Sequence, residues 1–230
     1  MMRFHLGPFP ENKDFDPESE GWSALPDLNL DTIHRRAMRA SMGLFLLWFP
    51  LFLLVFPLEL LTPQKVPLSP NVFRIQIPIF QMPVWLLFTM LVGILILFIP
   101  AHEMVHALCC PGWGLSSKTV LGLWLPKGFL YIHHDAPMAR NRFMFVLLAP
   151  YLFLSLLPLA LIAMLRFSGW TPELLLSLAW LSLLGSLLAG GDFVSFGALW
   201  SANIPGAALV RNVGQNSYWK PIAKKQLPWP

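Results

Sequence analysis

Long apolar runs separated by short polar loops dominate the chain. Four of them, 40–61, 84–110, 143–165 and 174–200, reach the roughly 20 residues that a helix needs to cross the hydrocarbon layer of a bilayer. The 39 residues before the first run carry ENKDFDPESE with interspersed Pro and Gly, and read as a solvated, loosely ordered lead-in. The longest polar-flanked connection runs from Pro111 to Arg142, and its middle, KTVLGLWL-PKG-FLYIHHD, reads as two strands about a Pro126-Lys127-Gly128 turn. The stretch from Pro63 to Pro83 is Pro-rich and apolar, with FRIQIPIF alternating as a strand or re-entrant segment would. The pattern therefore predicts an all-α polytopic membrane protein: a lead-in over 1–39, a four-helix membrane domain over 40–200 with a short β-hairpin between helices 2 and 3, and a tail over 201–230.

Composition supports a membrane class. Of 230 residues, 56% are hydrophobic and 12% charged, with 18 Phe and 10 Trp, and the mean hydropathy is +0.59. That excludes disorder and a collagen-like repeat, and the two adjacent cysteines, Cys109 and Cys110, build no disulfide framework. The net charge is +4, but the basic residues are scattered beside apolar runs rather than clustered, so no nucleic-acid partner is expected. Lead-in, second loop and tail together hold 13 Lys and Arg, and the other two loops 3; the positive-inside rule then places both termini, and the hairpin, in the cytoplasm. No apolar h-region lies in the lead-in and no small-residue cleavage site follows the first run, so the first span reads as an uncleaved anchor. Prolines inside the runs (Pro50, Pro57, Pro100, Pro150, Pro158) each remove one helical hydrogen bond and invite a kink.

One segment carries chemistry. His102-Glu103-Met104-Val105-His106 is an HExxH motif: on a helix the two His, at i and i+4, share a face and can share a Zn²⁺, with Glu103 in reach of its water. Six His and six Glu in 230 residues give on the order of 0.004 chance occurrences of that pattern. The competing interpretation is that the helix ends near Pro100 and the motif is polar flank at headgroup level. Against this, Ala107-Leu108-Cys109-Cys110 continues the apolar run, and ionisable groups inside a membrane need a partner or a function.

A catalytic zinc site uses three protein ligands and keeps one position for water. Apart from Glu103, Asp192 is the one acidic residue well inside a run, following Gly190-Gly191. His102 lies 18 residues after Val84 and Asp192 lies 18 after Leu174, so at 1.5 Å per residue both reach similar depth. The two glycines let a neighbouring helix approach closely, or let the backbone unwind and aim the carboxylate; the alternative is a packing seam with Asp192 capping a broken helix. His133 and His134, with Asp135, end the hairpin on the same side and compete as ligands or line the approach, solvated loop residues being the commoner outcome. Cys109 and Cys110 could share the face of His106, although small buried hydrophobes are the more ordinary identity for such thiols. Glu59 and Glu173 sit at the far ends of their spans.

HEMVH late in one span, a following span opened by ARNRFMFVLLAP, and Gly-Gly-Asp in the next resemble the site-2 protease type of intramembrane metalloprotease. Over roughly 86–200 the chain is most similar to small bacterial zincin peptidase membrane proteins. The resemblance implies that His102, His106 and Asp192 are metal ligands, that Glu103 is the catalytic general base, and that Zn²⁺ is the cofactor. Gly-Gly-Asp-Phe stands where the larger members carry Asp-Gly, and no PDZ domain is evident. The expected activity is an intramembrane zinc metalloprotease whose partners are the lipid bilayer and a membrane protein or peptide substrate, cleaved near the cytoplasmic leaflet. Two other classes stay open: a non-catalytic metal-binding adaptor or chaperone, and a transporter or proton relay. Intramembrane His and carboxylates also suit the relay, but here they concentrate in one leaflet. His at i and i+4 of one helix cannot take opposite axial positions on a haem.

Overall fold

A computed structural model describes residues 1–12, 14–25, 30–56, 64–69, 72–76, 84–168, 170 and 172–222. Pro57, Glu59, the end of the first apolar run and the last eight residues of the chain lie outside the described residues.

The chain is not an all-α, four-span protein. Among the described residues, strands make a three-stranded sheet, a four-stranded sheet and a two-stranded ribbon. Among the described residues, two helices are long and apolar enough to cross a membrane, Asp31–Val55 and Arg140–Leu165. A third is reached only by counting Ser177–Leu188 and Gly190–Ser201, bent by 48°, as one span. The described apolar part of the HExxH helix, Ile96–Cys109, is shorter. Apolar content alone overcounts spans because a hydropathy average registers neither a bend nor whether an apolar residue meets lipid or protein.

Helix α1 (Leu30–Val55) shows how one apolar run serves both surroundings. Trp48, Phe52 and Phe56 stack at i, i+4 spacing with centroids 4.8 and 4.7 Å apart, and are buried with Leu159, Ile162, Leu175 and Ala179. Met38, Leu46, Leu47 and Leu54 point outward and are exposed, a face suited to acyl chains. Helix α3 (Arg140–Tyr151), a π-helical turn (Leu152–Leu156) and α4 (Leu157–Leu165) follow one another. Pro158 can donate no backbone N–H, which favours the irregular turn before it. The Ser155 carbonyl accepts from Ser182 Oγ (2.8 Å), which accepts from Trp48 Nε1 (2.6 Å), so a polar group in an apolar bundle is satisfied by side chains.

The lead-in and the tail are folded together rather than loose. Strand β1 (Arg3–Leu6) pairs in parallel with β5 (Thr119–Trp124), which pairs antiparallel with β6 (Phe129–His134). The hairpin turn is a 3-10 turn closed by Gly128 at φ 64°, a left-handed conformation that favours glycine. Strands β3 (Gln64–Ser69) and β4 (Val72–Gln76) form the ribbon. The second sheet has the order β2-β9-β8-β7, with β2 (Ser23–Ala24), β7 (Met138–Ala139), β8 (Ala208–Val213) and β9 (Asn216–Pro221). Val210, Ala208 and Met138 of this sheet share a buried core with Phe143 and Val146 of α3 and Leu199 of α6 (Gly190–Ser201). Asp135 ties the two sheets, 3.4 Å from Arg211 and 3.9 Å from Arg3.

Two arginines finish helices. Arg142 donates to the carbonyls of Cys109 and Cys110 (3.2 and 3.1 Å) at the end of α2 (Val84–Cys109), and Arg166 to those of Leu54 and Val55 at the end of α1 (2.8 and 3.2 Å). The last carbonyls of a helix have no intrahelical donor, and a cation there also suits the dipole.

Candidate metal centre

Three side chains from two helices meet. His102 and His106 project from one face of α2, four residues apart, with ring centroids 5.0 Å apart and planes at 79°. Asp192 comes from the first turn of α6. His102 Nε2 lies 3.2 Å from Asp192 Oδ2, and His106 Nε2 lies 3.3 Å from Asp192 Oδ1. Among the described residues, this is the group of His, Cys, Asp or Glu whose ligand atoms, all within 4.8 Å of one another, could hold a metal ion. Both rings are buried, and Asp192 keeps 17% of its side chain exposed.

The break between α5 (Pro172–Leu188) and α6 aims the carboxylate. Gly190 is buried against α1: a Cβ there would collide with the Ala37 carbonyl oxygen and Ser41 Oγ, and would come within 2.8 Å of the Ser41 amide nitrogen. Gly191 faces more open space, its Cβ position 3.7 Å from Ile33 Cγ2. Of the two sequence-level roles for Gly190-Gly191, close helix approach belongs to Gly190, and the 48° bend falls at the same place.

Two backbone groups complete the surroundings. His106 Nδ1 lies 2.8 Å from the Val146 carbonyl; a carbonyl only accepts, so Nδ1 carries the proton and Nε2 faces Asp192. Glu103 Oε2 accepts from the Ile132 N–H of β6 at 2.9 Å, which sets its half-buried carboxylate on the outer edge of β6, a strand with no further strand partner among the described residues. Neither contact shows in the identity of its partner residue, because both partners are main-chain atoms. His102 Nδ1 is buried with no protein partner among the described residues.

A metal fits this donor set. Tetrahedral zinc with bonds of about 2.0–2.1 Å has ligand-to-ligand edges of roughly 3.3–3.4 Å, and the two imidazole-to-carboxylate separations are 3.2 and 3.3 Å. A ring whose Nδ1–H is held by a carbonyl while Nε2 points inward is the usual arrangement of a metal-binding His.

The competing residues lie elsewhere. His134 Nδ1 is 3.1 Å from Thr119 Oγ1 within the hairpin. His133 is 2% exposed and packs edge-on against Phe9, with centroids 6.2 Å apart; burial pushes its pKa down to about 4, against the opposing pull of Asp135. Cys109 and Cys110 are free thiols, Cys110 2% exposed in the core, and their carbonyls serve Arg142.

Residues 95–204, a little under half of the chain, match the model of a family described as "Putative zincin peptidase". The match contains His102, Glu103, His106 and Asp192. The likeness is to a metallopeptidase family, and that description implies zinc. Neither the curated proteins nor the solved structures contain a significant match.

Proposed function

We propose that the protein is an intramembrane zinc metallopeptidase in which His102, His106 and Asp192 hold the ion and Glu103 is the general base. The observation that carries this reading is the arrival of a carboxylate from α6 within 3.3 Å of both imidazoles of an HExxH helix. Zinc in such a site supplies a Lewis acid for a peptide carbonyl and brings the pKa of a water to about 7. Glu103 has one oxygen held by Ile132 N–H and a second to take the proton of the attacking water and return it to the leaving amine.

The sheet edge supplies the substrate track. Asp135 N–H bonds to the Lys118 carbonyl and Ile132 N–H bonds to Glu103. By the alternation of an antiparallel pair, Leu130, Ile132 and His134 turn their backbone groups away from β5. An extended segment added along this edge brings its carbonyls past Glu103. A helical membrane substrate must therefore unwind locally before cleavage. The pairing of β2 with β9 supports both terminal regions lying on one side of the membrane, the side charge assigns to the cytoplasm.

The test uses the full chain in nanodiscs, with zinc content and cleavage of transmembrane peptides measured beside Glu103→Gln. The reading expects retained zinc with hydrolysis reduced by at least ~100-fold. Equal cleavage in both proteins removes Glu103 as the base, and zinc binding with no cleavage of any peptide by either favours the adaptor class.

A further inference from the structure

Prolines interrupt several helices, and each leaves the carbonyl four residues earlier without its helical donor. Pro50 does this to Leu46 and Pro150 to Val146. The carbonyl that Pro150 releases is the one that receives His106 Nδ1–H, at 2.8 Å in a buried setting. Pro150 is itself fully buried, and Val146 is 6% exposed.

We propose that Pro150 is a positioning residue for His106: lacking an amide hydrogen, it keeps the Val146 carbonyl available to the ring's Nδ1–H and so fixes Nε2 toward Asp192. An ordinary residue at 150 would place an N–H in line with that carbonyl along the helix axis. The carbonyl has a second lone pair, but a helical bond draws the oxygen along the axis and away from a donor arriving from the side. His106 would then share its acceptor or lose it. The other ring shows what an unassisted imidazole looks like here, since His102 Nδ1 has no protein partner among the described residues. One position thus combines a helix defect with the orientation of one imidazole.

The consequence for metal rests on the proposed role of His106 as a ligand; the hold on the ring does not. The hold is read by nitrogen-15 and proton NMR of the full-length, metal-free protein in micelles, following the His106 Nδ1–H, which neutral and charged rings both carry. Wild type shows this proton protected from exchange, and Pro150→Ala exchanges it at least ~10-fold faster. Lactic acid at position 150, which has neither the proline ring nor an N–H, restores wild-type protection and separates the missing amide from lost packing. Pro158→Ala, in the same helical run away from the site, leaves the proton unchanged. Zinc titration of the same samples shows a ~10-fold weaker affinity for Pro150→Ala, the lower end of what lost ligand support costs. Exchange within twofold of wild type in Pro150→Ala overturns the proposal. So does a wild-type His106 without a proton on Nδ1, which needs no variant to fold. Faster exchange with unchanged zinc affinity upholds the role of Pro150 and sinks the assignment of His106 as a ligand.

Discussion

Gly190 and Gly191 are adjacent, chemically identical and predicted to respond oppositely to one methyl group. A Cβ at Gly190 sits 2.8 Å from the Ser41 amide nitrogen, and closer still to the Ala37 carbonyl oxygen and Ser41 Oγ. To regain about 3.4 Å from that nitrogen, α1 and α6 must part by roughly 0.6 Å, and by more for the carbonyl, because backbone atoms cannot rotate away. Overpacking of this kind costs about 3 kcal/mol, offset by about 1 kcal/mol from replacing glycine in a helix, for a net loss near 2 kcal/mol. Asp192 rides on the same helical turn, and a metal site tolerates displacements of only about 0.5 Å. Gly190→Ala should therefore weaken zinc binding ~10-fold or more as well as lower stability. At Gly191 the new Cβ meets Ile33 Cγ2 at 3.7 Å, an ordinary contact, so Gly191→Ala should be neutral or stabilising by up to about 1 kcal/mol. Thermal unfolding in detergent with parallel zinc titration checks both. Equal behaviour of the two variants would refute the claim that helix proximity at Gly190 sets the position of Asp192.

Asp192→Ala should reduce bound zinc sharply while leaving the fold intact, as measured by metal content after gel filtration; full retention would direct the search to His133 or His134. A strong chelator should abolish hydrolysis, with recovery on adding zinc but not calcium, since two imidazoles and one carboxylate suit a borderline ion better than a hard one. Acid should loosen the sheets through His133. Its ring stays neutral in the fold down to about pH 4 but protonates near 6.5 when unfolded. The unfolded chain thus binds more protons in between, and stability is lost as pH falls through that window, by at most ~3 kcal/mol. Denaturation curves between pH 7 and 4 should flatten in His133→Phe, and an unchanged slope would place the acid sensitivity elsewhere.

The site was legible to the extent that its chemistry is local. Spacing at i, i+4 puts His102 and His106 on one helix face whatever the tertiary structure, and an Asp following two glycines inside an apolar run signals a partner. The hairpin strands were visible because KTVLGLWL and FLYIHHD are bounded by a Pro-Lys-Gly turn. The span count was not, since one helix ends at Leu188 and another starts at Gly190 within a single hydrophobic stretch. The pairings of Arg3–Leu6 with Thr119–Trp124 and of Ser23–Ala24 with β9 join segments more than a hundred residues apart; the short strands of the lead-in look like polar coil in isolation. Main-chain partners such as the Val146 carbonyl and the Ile132 amide leave no trace in residue identity, although a proline four residues after Val146 was a usable signal for the first.

X-ray absorption at the zinc edge of the purified full-length protein reports the ligand set most directly. The account predicts about one zinc per chain, with nitrogen and oxygen neighbours near 2.0–2.1 Å and outer-shell scattering from two imidazole rings that drops to one in His106→Ala. A sulfur shell near 2.3 Å, which would bring in Cys109 or Cys110, or a protein that takes up no zinc, would contradict it.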